Sequence, residues 1–68
     1  MHIIDTKTGV SFNSRTTADR AGFAAIVSRR LGNTETGVYR VVFSTRGQAY
    51  RAACKACESL ARNHAYVN

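Results

Sequence analysis

The chain opens on strand-like alternation. Ile3-Ile4 and Val10-Ser11-Phe12-Asn13 flank the polar run Asp5-Thr6-Lys7-Thr8-Gly9. An Asp that can bond its own backbone opens this run and a glycine closes it, so the segment predicts a β-hairpin. Val10 and Phe12 then share one face of the second strand, and Ser11 and Asn13 the other. After Ser14 the period changes. Ala18, Ala21, Gly22 and Ala25 fall at i, i+3, i+4 and i+7, a stripe of small side chains with Ile26 beside it. With Ser14, Thr16 and Thr17 as capping candidates, Arg29-Arg30 in the last turn and Gly32-Asn33 as a stop, a helix is expected over 16–31.

Residues 32–37 read as a polar connection. Val38-Tyr39-Arg40-Val41-Val42-Phe43 follows, rich in β-branched and aromatic residues and the strongest strand in the chain. Alternation puts Tyr39, Val41 and Phe43 toward the core and leaves Arg40 on the open face near Ser11 and Asn13. A second helix is expected over 48–64. Ala49, Ala52, Ala53, Ala56 and Leu60 line its inner side, and Arg51, Lys55, Glu58 and Arg62 its outer side. The tail, residues 64–68, should fray or pack as an edge. The expected fold is therefore α+β, a single domain over 1–68 in the order β-β-α-β-α. A three-stranded sheet, preferred order 2-1-3, would carry two helices on one face.

An internal similarity supports that expectation. At a constant offset of 31 residues, Phe12/Phe43, Arg15/Arg46, Ala18/Ala49, Arg20/Arg51, Ala21/Ala52, Ala25/Ala56 and Ser28/Ser59 are identical. Self-similarity of this kind suggests a repeated strand-helix unit. The other reading is that any two strand-to-helix junctions rich in Ala and Arg look alike.

Composition adds charge to this outline. Sixty-eight residues carry ten Lys+Arg against four Asp+Glu, a formal net charge of +6, and eight of the ten are arginine. A small core supplies only a few kcal/mol at this length, so a partner or a homodimer with strands pairing across chains could complete it. The basic excess points to nucleic acid or to an acidic protein surface, because arginine offers a planar fork that grips phosphate and carboxylate. Arg15 and Arg46 sit just before the two expected helices, with Arg20 and Arg51 in their early turns. Helix N-termini already favour phosphate, so these four and the sheet residue Arg40 form the candidate anion-binding set. The alternative role of the first four is stacking on an aromatic ring or pairing with Asp19 or Glu58, and the alternative for Arg40 is an ordinary solvated strand residue. No apolar run approaches the length of a membrane span and no signal-peptide core opens the chain, which makes a cytoplasmic site the expectation.

Catalytic and cofactor signals are weak. The acids Asp5, Asp19, Glu35 and Glu58 read as turn, helix surface, loop and ion pair, so neither an enzyme nor a cofactor is expected. Cys54-Lys55-Ala56-Cys57 is a C-x-x-C, but both sulfurs fall inside the second helix on its Ala-rich side. Buried small apolar cysteines are the main reading. A metal set of Cys54, Cys57, His64 and His2 is the minor alternative and has no standard spacing.

Phe43-x-Thr45-x3-Ala49-x-Arg51-Ala52-x3-Ala56 resembles the last strand-to-helix junction of the ethylene-response-factor and integrase arm-type DNA-binding domains. In that family a three-stranded sheet enters the major groove and one helix backs it. The resemblance covers about fifteen residues. The chain is expected to depart from the pattern in two ways, by a helix between its second and third strands and by lacking a long strand meander. The last helix is also similar to that of a double-stranded-RNA-binding domain, whose helix-sheet order differs. The expected function is a small basic nucleic-acid-binding protein. The alternative is a protein-binding inhibitor or adaptor, of the kind phage and mobile elements encode, acting on an acidic or nucleic-acid-binding surface of a host machine.

Overall fold

The computed structural model describes residues 1–67, the side chains of 65–67 excepted. Four strands, β1 (His2–Ile4), β2 (Ser11–Asp19), β3 (Gly22–Leu31) and β4 (Thr34–Phe43), precede one helix, α1 (Arg46–Val67). The strands form an antiparallel meander in the order β1-β2-β3-β4. This corrects the β-β-α-β-α expectation. One helix backs four strands, the strand order is sequential, and β1 is an edge rather than the centre. Both expected departures from the ethylene-response-factor pattern are overturned with it, since no helix interrupts the strands and the meander is long.

The error lies in residues 16–31, where β2, a two-residue turn and β3 replace a helix. Gly22-Phe23-Ala24-Ala25-Ile26-Val27 is nearly continuous in apolar side chains: Ala25 and Val27 pack under the helix, while buried Ala24 and half-buried Ile26 lie on the opposite face. Such a strand loses the alternation that marks a half-buried one and cannot be told from a helix by period. The turn is tight. Asp19 Oδ1 accepts the Ala21 N–H at 3.0 Å, and Asp19 pairs with Gly22 across it. Gly22 has φ 145°, and a Cβ there would run into the Phe43 carbonyl oxygen. Only glycine meets both demands. Gly32-Asn33, read above as a helix stop, is instead the two-residue loop of the β3-β4 hairpin. Gly32 stands first with φ 61°, as a type II′ turn requires.

The first hairpin forms as expected. Asp5 Oδ1 accepts the Lys7 N–H at 3.0 Å, Gly9 adopts φ 76°, and Ile3 faces Phe12 across the strands. The C-terminal helix also forms, two residues earlier than expected and on through 64–67, the stretch expected to fray or pack as an edge. The tail expectation for Asn68 lies outside the described residues. Thr45 Oγ1 caps the helix by accepting the Gln48 N–H at 3.2 Å.

The core lies between α1 and one sheet face. Val10, Phe12 and Val27 pack with Cys57, while Ala25 meets Ala49 and Ala53. Alanine on alanine lets the helix axis approach the sheet closely, and Tyr39, Phe23 and Phe43 fill the flanks. As the alternation in β4 predicts, Tyr39 and Phe43 face the helix. The strand-helix repeat is not a structural one. Its first copy spans a strand, a turn and the start of another strand, and its second copy is a strand end and a helix.

Candidate nucleic-acid interface

The helix covers one face of the sheet. On the other, cross-strand register arranges the side chains in rows. Ser11 lies opposite Arg30, Asn13 opposite Ser28, Arg15 opposite Ile26, and Thr17 opposite Ala24. On the far side of β3, Ile26 faces Arg40, Ala24 faces Val42, and Arg30 faces Glu35. Arg15, Ile26 and Arg40 therefore form one row, two arginines with an isoleucine between them. Beside it run the hydroxyls and amide of Ser11, Asn13 and Ser28. A shallow groove of about 520 Å³ lies over this region, with Asn13, Arg15, Ile26, Ser28, Glu35 and Arg40 in its walls and floor.

Arg40 is held in place. Its Nη2 donates to Asp19 Oδ2 at 2.8 Å, and its side chain is still 56% exposed. The Ala21 N–H first, and Arg40 second, hold the Asp19 carboxyl below its ordinary range. Pairing with Asp19, an alternative expected for the four helix-end arginines, is made instead by Arg40, without removing it from the groove. Stacking on a ring, the other alternative, belongs to Arg46, whose guanidinium carbon sits 5.3 Å from the centroid of the Phe23 ring.

The five candidate arginines do not form one site. Arg15 is not ahead of a helix but in the middle of β2, on the open face with Arg40. Arg20 occupies the β2-β3 turn. Arg46 opens α1, at the same end of the molecule as that turn, since Phe23 pairs with Phe43 there. Arg51 lies on the outer side of α1 with Lys55, Glu58 and Arg62, all exposed. Among the described residues Glu58 and Arg62 form no ion pair. The proposed pair of matching helix N-terminal sites is corrected accordingly, because the described residues form a single helix, α1. Arg30 was missed. A helix over 16–31 puts it in the last turn, and only the strand register of β3 brings it onto the open face.

Of the two cysteines, Cys54 is half-buried and Cys57 lies in the core. Burial pushes the Cys57 thiol up, which keeps it protonated, and Cys57 is fully buried in the core. Among the described residues no group of three or more His, Cys, Asp and Glu is placed to hold a metal. His64 instead turns to the first hairpin, with Nε2 3.1 Å from Thr8 Oγ1 and 3.4 Å from Asp5 Oδ2, and its ring 5.7 Å from that of Phe12. It ties the far half of α1 to the β1-β2 loop. Among the described residues no helix is long and apolar enough to cross a membrane. Compared with known proteins, the chain matches no family model, no curated protein and no solved structure.

Proposed function

We propose that the chain is a small nucleic-acid-binding module whose contact surface is the open sheet face. The row Arg15-Ile26-Arg40 carries this reading, since it presents two guanidinium groups on a face the helix leaves uncovered. Arg30, Asn13, Ser11 and Ser28 extend the surface. Arginine makes bidentate contacts with guanine or with phosphate, asparagine does so with adenine, and serine accepts or donates to either. A two-stranded antiparallel ribbon fits the major groove of B-form DNA. The ethylene-response-factor resemblance at residues 43–56 agrees with a sheet backed by one helix. Ile26 supplies an apolar contact between the arginines. Among the described residues no polar or charged side chain is buried, which favours binding over chemistry that needs a shielded acid or base. Both cysteines are free thiols, and a cytoplasmic setting suits them.

Fluorescence anisotropy with a labelled duplex DNA and a labelled RNA tests the proposal. Affinity should fall roughly tenfold or more between about 50 and 200 mM salt, as expected for a few phosphate contacts. The double variant Arg15→Ala, Arg40→Ala should lose most of it with the fold retained by circular dichroism. No binding to either nucleic acid at low salt would overturn the reading. A lysate capture that survives nuclease would then favour the protein-binding alternative.

A further inference from the structure

The sheet has a long free edge. Strand β4 runs ten residues, pairs only with β3, and leaves its other side unpartnered among the described residues. A long, β-branched edge is a template for another strand. Val38 and Val41 are exposed along it at 39% and 41%. The core behind it is thin, since its largest fully buried side chains are Val27 and Cys57. A chain of this size often completes its stability by association.

A bulge decides what can pair there. Val27 faces Tyr39 but Ser28 faces Gly37, so Val38 is an extra residue in β4. In a regular strand Glu35 and Arg40, five apart, would point to opposite faces. The bulge places both on the open face, Glu35 opposite Arg30 and Arg40 opposite Ile26. A bulge usually blunts an edge by disturbing its ladder. Here it also limits the registers open to self-pairing. When β4 is set antiparallel to a second β4 about a two-fold axis, one alignment keeps open-face residues opposite open-face residues from Thr34 to Val41. It places Thr34 opposite Val41, Glu35 opposite Arg40, Thr36 opposite Tyr39, and Gly37 opposite Val38, each pair occurring twice. Shifting by one residue in either direction, or by two toward the start of the strand, sets covered-face side chains against open-face ones. Shifting by two the other way keeps faces matched outside the bulge, but sets Glu35 opposite Val42 and Arg40 opposite Gly37, with no charge pair.

We infer that β4 is the interface of a symmetric homodimer, in which Glu35 of each copy lies opposite Arg40 of the other and the two sheets join into one of eight strands. Charge complementarity supports the choice of a second copy as occupant, because, of the registers matched in face outside the bulge, this one opposes two acid-base pairs. Arg40 can serve both acids, since its guanidinium has five donors and one nitrogen suffices for Asp19. The inference does not rest on nucleic-acid binding. If both hold, the row Arg15-Ile26-Arg40 continues across the axis through the second Glu35 and Arg30, and the basic face doubles.

Sedimentation equilibrium without nucleic acid tests the dimer on the full chain. The expected mass is twice 7.4 kDa at high micromolar concentration. Glu35→Arg leaves the Arg40–Asp19 pair untouched and sets like charges together twice, so self-association should weaken roughly tenfold or more. Val38→Lys should do the same from the centre of the interface. Circular dichroism confirms that each variant is folded, and Arg51→Ala on the far side of α1 should associate like the parent chain. A parent chain that stays at 7.4 kDa across that range would overturn the inference, as would a dimer that both variants leave unchanged.

Discussion

Two stretches of this molecule spell nearly the same message and fold differently. Phe12 to Ala25 and Phe43 to Ala56 agree at Phe, Arg, Ala, Arg, Ala and Ala. Yet the first forms a strand, a turn and the start of a second strand, and the second forms a strand end and a helix. The shared residues do not decide the outcome. The differing ones do. Asp19 stands where the second copy has Tyr50, and its carboxylate closes a turn on the Ala21 N–H. Gly22 stands where the second copy has Ala53, and adopts a φ that alanine resists. Thr16, Thr17, Ile26 and Val27 are β-branched, whereas Arg46 to Tyr66 contains no β-branched residue. Thr45 caps the second copy where Ser14, the matching residue, sits inside β2 and accepts a hydrogen bond from the chain's first amine at 2.9 Å. A few residues with strong backbone preferences outweigh several identities with weak ones.

The sharpest way to break that contrast is to exchange its glycine. Gly22→Ala forces a Cβ against the Phe43 carbonyl in a backbone region alanine rarely occupies, and should cost about 2–4 kcal/mol in urea denaturation. The reverse change, Ala53→Gly, should cost about 1 kcal/mol, because it loosens a helix without distorting it. Thr45→Ala removes the helix cap and should cost roughly 0.5–1 kcal/mol by the same measurement. The smallest effect belongs to Asp19. Its folded carboxyl is held below the ordinary value of 3.8 by the Ala21 N–H and Arg40. A depressed carboxyl contributes stability that is fully present above that value and is lost as pH falls through and below it. Asp19→Asn should therefore be less stable than the parent chain above about pH 5, and the gap should close as the acid protonates. A gap that persists at low pH would assign the difference to turn geometry instead of charge.

The two ends of the chain are legible in the sequence and residues 16–31 are not, for a physical reason. The hairpin at 3–13 is legible because Asp5 and Gly9 specify a turn between short alternating segments. The C-terminal helix is legible because Ala49, Ala53, Cys57 and Leu60 recur on one side of a stretch free of β-branched residues. Strand β3 is not, because apolar residues stand on both of its faces and leave no alternation, and its alanines have weak strand preference. Gly32-Asn33 between two apolar runs was the signal that could have identified the hairpin. The candidate site followed the same division. Arg40 was placed on the open sheet face from the alternation in β4. Arg15 joined it only when β2 proved to extend to Asp19, and Arg30 only when β3 proved to be a strand.

The arginines make the contrast functional. Arg15 and Arg46 are equivalent letters of the two copies, but Arg15 lies on the open face beside Ile26 and Arg46 stacks over Phe23 at the helix start. The most direct test is to titrate labelled duplex DNA and RNA with Arg15→Ala and Arg46→Ala, each shown to be folded, at about 50 mM salt. Arg15→Ala should weaken binding roughly five- to tenfold, about 1 kcal/mol or slightly more, while Arg46→Ala leaves affinity close to that of the parent chain. Equal losses in the two variants, or a loss confined to Arg46→Ala, would contradict the open sheet face as the binding surface.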